Sequence, residues 1–117
     1  MKIMVVDNNI GDLEKTNECL IMAYSGYDEV VKFTDPLMAV KYGINNKIDV
    51  LYTDINMRGM DGFSLIELLK KHNPDMIANI ITSTDEYKGE AVKNGTAAYL
   101  IKPISIRKVK QYIISKE

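Results

Sequence analysis

Apolar residues in this chain fall into five short runs, and longer stretches with helical spacing separate them. The runs are Ile3 to Val6, Val30 to Thr34, Asp49 to Thr53, Ile77 to Thr82 and Ala97 to Ile101. Runs of this length bounded by turn residues predict strands buried on both faces of a parallel sheet. The first intervening stretch puts Ile10, Leu13, Leu20, Ile21 and Tyr24 on one helical face and Glu14, Lys15 and Glu18 on the other, with Ser25-Gly26 as its expected end. Asp35-Pro36 opens a second helix with a cap residue and a proline at the first helical position, and this helix is expected to close around Gly43. The third follows Asp61-Gly62, presents Leu65, Ile66, Leu68 and Leu69, and ends in Lys70-Lys71-His72 before Asn73-Pro74, where basic charge suits a helix C-terminus. The fourth, Glu86 to Lys93, is short and weakly amphipathic and stops at Asn94-Gly95. Ser105 caps a fifth that runs to about Ile114 with Ile106, Val109 and Ile113 inward.

Strands and helices that alternate in this way imply βαβ units with right-handed crossovers. The predicted fold is α/β: a doubly wound, five-stranded parallel sheet of order 2-1-3-4-5 with five helices, a flavodoxin-like three-layer sandwich. At 117 residues the chain is expected to form one domain, spanning 1–117, with no output domain after the fifth helix.

Charge adds an exclusion. Fifteen basic residues against sixteen acidic leave a net charge of -1, which argues for neither nucleic acid nor an anionic membrane as partner. A single cysteine, Cys19, rules out an internal disulfide and suits a reducing compartment. The apolar start is too short for a signal peptide or a membrane span. A cytoplasmic protein is expected.

In the predicted fold the carboxyl ends of the first, third, fourth and fifth strands share one edge, where open α/β sheets hold their ligands. Asp7, Asn8, Asp54, Thr82 and Lys102 stand at those ends. A carboxylate pair, a hydroxyl and an ammonium around one crevice are the groups that phosphoryl transfer onto a carboxylate requires. Asp54 can act as nucleophile. Asp7 and a carboxyl oxygen of Asp54 can hold Mg2+, which favours oxygen ligands and keeps several waters. The metal and Lys102 would neutralise charge on the transferring group, and Thr82 would donate to one of its oxygens.

The same residues carry a resemblance. Val6-Asp7-Asn8, Asp54-Ile55-Asn56-Met57-Arg58-Gly59-Met60-Asp61-Gly62, Thr82-Ser83 and Tyr99-Leu100-Ile101-Lys102-Pro103 together resemble a response-regulator receiver domain of the single-domain type. The likeness covers essentially the whole chain, at family spacing apart from a fourth-helix region about two residues short. It implies that Asp54 accepts a phosphoryl group from a phosphohistidine of a sensor histidine kinase or phosphotransfer protein. It also implies that the Asn56 carbonyl is a metal ligand, that Thr82 and Lys102 bind phosphoryl oxygens, that Tyr99 switches rotamer, and that the Lys102–Pro103 peptide is cis. Thr82 and Tyr99 would then shift a partner-binding face made by the fourth helix, fifth strand and fifth helix. A homodimer through that face is one expectation. Receivers with winged-helix DNA-binding outputs often carry acids just before the tyrosine for a charged dimer, and Ala97 and Ala98 do not support that form.

Two positions depart from the family pattern. The second of its two adjacent acids is Asn8, whose amide oxygen can coordinate but brings no charge, which predicts weaker Mg2+ binding. Asn8 has a second reading, as the cap of the first helix. The usual proline after the acceptor is Arg58, which frees the backbone. Other residues have plainer readings: Thr84 is a rival hydroxyl to Thr82, Tyr99 a half-buried strand aromatic, and Asp12 and Glu14 acids that favour the helix dipole without serving as ligands. Two other classes of function remain. One is a phosphorylation-independent interaction module with a degenerate metal site; the other is a phosphohydrolase, for which Asn56 stands where a general acid is needed.

Overall fold

The computed structural model describes residues 1–24, 26 and 28–116, with side chains as far as Ile113. Five strands alternate with five helices: β1 (Lys2–Val6), α1 (Ile10–Ala23), β2 (Glu29–Phe33), α2 (Pro36–Asn45), β3 (Val50–Thr53), α3 (Gly62–His72), β4 (Ile77–Thr82), α4 (Lys88–Lys93), β5 (Ala98–Ile101) and α5 (Ile106–Lys116). All pairings are parallel and the order is β2-β1-β3-β4-β5, the doubly wound flavodoxin-like arrangement expected from the pattern.

Two cores form because successive strand side chains leave opposite faces of the sheet. Met4, Val6, Leu51, Ala78 and Ile80 meet Ala39, Leu65, Ile66, Leu69 and Ala91 of α2, α3 and α4. Ile3, Val5, Val50, Tyr52 and Ile81 meet Leu13 and Leu20 of α1 and Val109 of α5. Both faces of β1 and β3 are therefore dry, which is why those runs show no polar alternation.

Several element readings need correction. The inward stripe of α1 is Leu13, Thr16 and Leu20, while Ile10 and Ile21 are 68% and 55% exposed. Both isoleucines sit to one side of the stripe that the sheet and α5 cover. Ser25, expected to help end α1, lies outside the described residues; the helix ends at Ala23, and the N–H of Tyr24 still reaches the carbonyl of Leu20. Gly43 does not end α2. It lies inside the helix, where an added Cβ would stand 2.3 Å from Leu69 Cδ2, so the glycine lets α2 and α3 approach. The fourth helix begins at Lys88, two residues later than its pattern implied.

Tyr52 is fully buried, and its hydroxyl pairs with that of Tyr24 at 2.7 Å while the rings meet edge-on. Burial pushes the phenols of Tyr24, Tyr52 and Tyr112 above their ordinary range. Unfolded tyrosines ionise near pH ~10, so above that pH the unfolded chain binds fewer protons than the folded one. Stability is thus intact below that pH and lost as pH rises beyond it, by up to about 1.4 kcal/mol per pH unit for each such tyrosine. Tyr52→Phe is expected to flatten this alkaline fall in melting temperature, at a neutral-pH cost of about 1 kcal/mol for the lost hydroxyl pair. An alkaline limb as steep as that of the natural chain would contradict the assignment.

Candidate functional site

β1 and β3 deliver two carboxylates to the carboxyl edge. The ladder runs one residue past each strand: Asp7 N–H donates to the Phe33 carbonyl at 3.1 Å and Asp54 N–H to the Val6 carbonyl at 3.0 Å. Asp7 is completely buried, and one of its oxygens, Oδ1, accepts from Asn9 N–H at 2.9 Å. Asp54 Oδ1 accepts from Ile55 N–H at 2.7 Å, which fixes the plane of that carboxylate.

Lys102 enters from the end of β5. Its backbone N–H donates to the Thr82 carbonyl at 2.7 Å, tying β5 to β4, and its peptide to Pro103 is cis, as the resemblance implied. The ammonium lies 2.7 Å from Asp7 Oδ2, 2.9 Å from Asp54 Oδ2 and 3.0 Å from Asp12 Oδ2. The contact with Asp7 Oδ2 lies within hydrogen-bond distance and pairs the two charges. That oxygen is therefore buried and held by the Lys102 ammonium. Burial pushes the Asp7 carboxyl up from its ordinary value, against the pull of Lys102 and the Asn9 N–H, and the nearby Asp54 charge adds to the rise. Burial alone would lower the Lys102 ammonium, but Asp7, Asp54 and Asp12 together hold it above the usual lysine range.

The acceptor loop is closed by Gly62, whose N–H donates to the Ile55 carbonyl at 2.8 Å. Gly59 takes a φ of 89°, a left-handed conformation that glycine adopts without strain. Asp61 then caps α3, its Oδ1 accepting from Ser64 N–H at 2.8 Å.

The structure brings together Asp7, Asp54 and Lys102 in direct contact and places Thr82, buried, at the adjacent strand end. The rival hydroxyl of Thr84 is engaged in its own turn, accepting from Glu86 N–H at 3.2 Å. Tyr99 points inward, and its hydroxyl donates to the Thr84 carbonyl at 2.6 Å, linking β5 to the loop after Thr82. Asn56 is exposed, with its amide oxygen 3.5 Å from the Tyr87 hydroxyl. Asn8 is exposed too, and lines an open groove of about 540 Å³ with Thr34, Asp35, Pro36, Leu37, Arg58 and Gly59. It does not cap α1. Asn9 does, its side chain accepting from Asp12 N–H at 2.9 Å.

Asp12 is the residue that sequence reasoning missed. As an acid in the first turn of α1 it fits the dipole reading, but its carboxylate also reaches Lys102, 90 residues away. The available signal was indirect. A Glu or Gln at this helix position commonly turns back to the N-cap N–H, and here Asp7 Oδ1 already accepts from the N–H of the cap residue Asn9.

As a donor set, Asp7, Asp54, the Asn8 amide and the Asn56 carbonyl offer only hard oxygens, and the two carboxylates share the Lys102 ammonium as counter-charge. That suits Mg2+, which typically takes one or two carboxylates and keeps waters. No helix among the described residues is long and apolar enough to cross a membrane.

Fold and crevice together define a class: a doubly wound sheet with an acid, an acceptor carboxylate and a lysine converging at its carboxyl edge. Comparison with known proteins agrees, since the model of the response regulator receiver domain matches residues 3–114, and the chain belongs to that family. The heme response regulator HssR of Staphylococcus haemolyticus is 32% identical over 111 residues, covering 93% of this chain and 48% of that protein. The chain thus spans about half the length of that relative. Among solved structures, the response regulatory domain of MrkE from Klebsiella pneumoniae superposes with a TM-score of 0.86 at 22% identity, over 98% of this chain and 93% of that one. The response regulator TrrA of Thermotoga maritima, in complex with Mg2+–BeF, gives 0.82 at 20% identity over 97% and 96%. Receivers are signalling switches of two-component systems that carry phosphoaspartate, generally bind Mg2+ and interact with histidine kinases or phosphotransfer proteins.

Proposed function

We propose that this chain accepts a phosphoryl group on Asp54 from a phosphohistidine of a sensor histidine kinase or phosphotransfer protein. One observation carries the reading: a single ammonium, that of Lys102, bridges Asp54 Oδ2 at 2.9 Å and the buried Asp7 Oδ2 at 2.7 Å. In the transfer an Asp54 oxygen bonds to phosphorus as the phosphorus–nitrogen bond breaks, and the imidazole leaves with that electron pair. Lys102 then moves from the carboxylate to the phosphoryl oxygens, and the Thr82 hydroxyl donates to another of them. Asp7, Asp54, the Asn56 carbonyl and the Asn8 amide would hold Mg2+, which supplies further neutralisation of phosphoryl charge when bound. Asn56, two residues after the acceptor, has no carboxylate to take a proton from an attacking water, so the aspartyl phosphate is expected to hydrolyse slowly.

The Tyr99 hydroxyl grips the loop that follows Thr82. A Thr82 hydroxyl drawn to the phosphoryl group would therefore pull on the β4–α4 loop and bias Tyr99, shifting the α4–β5–α5 face between two states. The alternative, a phosphorylation-independent interaction module, is favoured only by the neutral Asn8. It requires that Asp54→Ala keep its partner.

Acetyl phosphate or beryllofluoride with Mg2+ tests the reading. Mass spectrometry is expected to find one phosphoryl adduct with acetyl phosphate, absent from Asp54→Asn. No adduct in the natural chain, or one that persists in Asp54→Asn, would end it.

A further inference from the structure

We propose that Asp12 is a positioning residue for Lys102 and supplies to the crevice the negative charge that Asn8 does not. The inference rests on the Mg2+-assisted acceptor reading above and deepens it.

Local structure explains how Asp12 comes to be free for this. It stands in the first turn of α1, three residues after the cap Asn9, and donates its own N–H to the Asn9 side chain. In a reciprocal cap its carboxylate would turn back to the Asn9 N–H. Asp7 Oδ1 already takes that N–H at 2.9 Å. The Asp12 carboxylate instead reaches Lys102, with Oδ2 at 3.0 Å from the ammonium.

The consequence is electrostatic. One ammonium is shared among Asp7, Asp54 and Asp12, so it cancels less of the charge on the first two than it would if they were its only partners. Receivers with two adjacent acids after the first strand place the additional charge at the position of Asn8. Here the third carboxylate is that of Asp12, 3.0 Å from the same ammonium. The crevice keeps the charge that attracts a divalent cation but loses one direct anionic ligand. The Asp12 carboxylate pairs with Lys102, so it acts through that side chain and is not itself a ligand.

Mg2+ binding measured by calorimetry on the full chain tests the inference, using Asp12→Asn, Asp12→Glu and Glu14→Gln. Glu14→Gln is the control: it removes a charge from the same helix, but Glu14 pairs with Lys32 at 2.7 Å and does not touch Lys102. Asp12→Asn is expected to weaken Mg2+ binding by about three- to tenfold at low salt, a ratio that shrinks toward one at high salt as the charges are screened. Asp12→Glu, which keeps the charge and lengthens the reach, is expected to recover most of the loss, and Glu14→Gln to stay within about twofold of the natural chain. A loss caused only by a weaker helix end would appear as a lower melting temperature and would not follow salt. Affinity in Asp12→Asn equal to or tighter than the natural chain overturns the inference, and so does an equal loss in Glu14→Gln. Failure of the natural chain itself to bind Mg2+ overturns both this inference and the metal chemistry it rests on, which separates the two results.

Discussion

Lys102→Met is expected to destabilise the folded chain by about 3 kcal/mol at pH 7, because breaking a buried ion pair from one side leaves an uncompensated charge. The stranded group is Asp7, which has no exposed surface and whose Oδ2 would lose the ammonium that stands 2.7 Å from it. Burial already holds the Asp7 carboxyl above its ordinary range with the lysine present. Without it the folded-state value rises further, so the folded protein takes up a proton that the unfolded chain does not. The sign follows: stability of the variant should increase as pH falls from neutrality toward the unfolded carboxylate range, and the deficit should shrink. Asp7→Asn in the Lys102→Met background removes the stranded charge and should recover most of the loss. Thermal denaturation at pH 7 and pH 5 reads all of this. A variant that melts with the natural chain at both pH values would show that Asp7 finds another cation. Asp54 is less affected, since its side chain keeps 14% of its surface and the Ile55 N–H.

Gly62→Ala should be comparably damaging for a different reason. A Cβ at this position would lie 2.2 Å from the Asp54 carbonyl oxygen and 3.1 Å from both the Asp54 carbonyl carbon and Ile55 Cα. All three are backbone atoms of the acceptor segment, so no side chain can swing aside. Relief requires the Asp54 peptide or the start of α3 to move. The expected cost is about 3 kcal/mol, at the upper end for overpacking, and acetyl phosphate labelling of Asp54 should slow by about 100-fold, since a displacement near 1 Å suffices for that. Gly89→Ala is the comparison. Nothing lies within 4 Å of a Cβ there, and inside α4 alanine should be worth about 0.5–1 kcal/mol. Equal labelling rates for Gly62→Ala and the natural chain would show that the acceptor tolerates a shift its geometry forbids.

The two glycines show why local pattern misjudges some positions. Gly43 and Gly62 both look like punctuation in the sequence. The first is an interior helix residue that lets Leu69 approach, and the second a contact surface for the backbone at Asp54. Both roles depend on a neighbour far away or on a loop's return, and neither leaves a trace in local spacing. Ile10 and Ile21 failed for a related reason. Helical spacing identifies an apolar face but not how wide a stripe the sheet and α5 will cover.

Asp54, Asp7 and Lys102 were legible because each follows an apolar run, and the carboxyl ends of parallel strands share one edge whatever the details of packing. The strand order followed from the same logic, since short βαβ crossovers leave few topologies open. Hydrophobic periodicity and chain connectivity are local or nearly local properties, and they are enough to determine this sheet, its helices and the identity of the groups at its edge. What only the tertiary structure decided is how those groups share charge. The reach of Asp12 to Lys102 across 90 residues, the choice of Asn9 over Asn8 as cap, and the burial that leaves Asp7 Oδ2 dependent on Lys102 rest on distances between side chains from different elements. Electrostatic coupling falls steeply with separation and with access to water, and only the packed chain sets both.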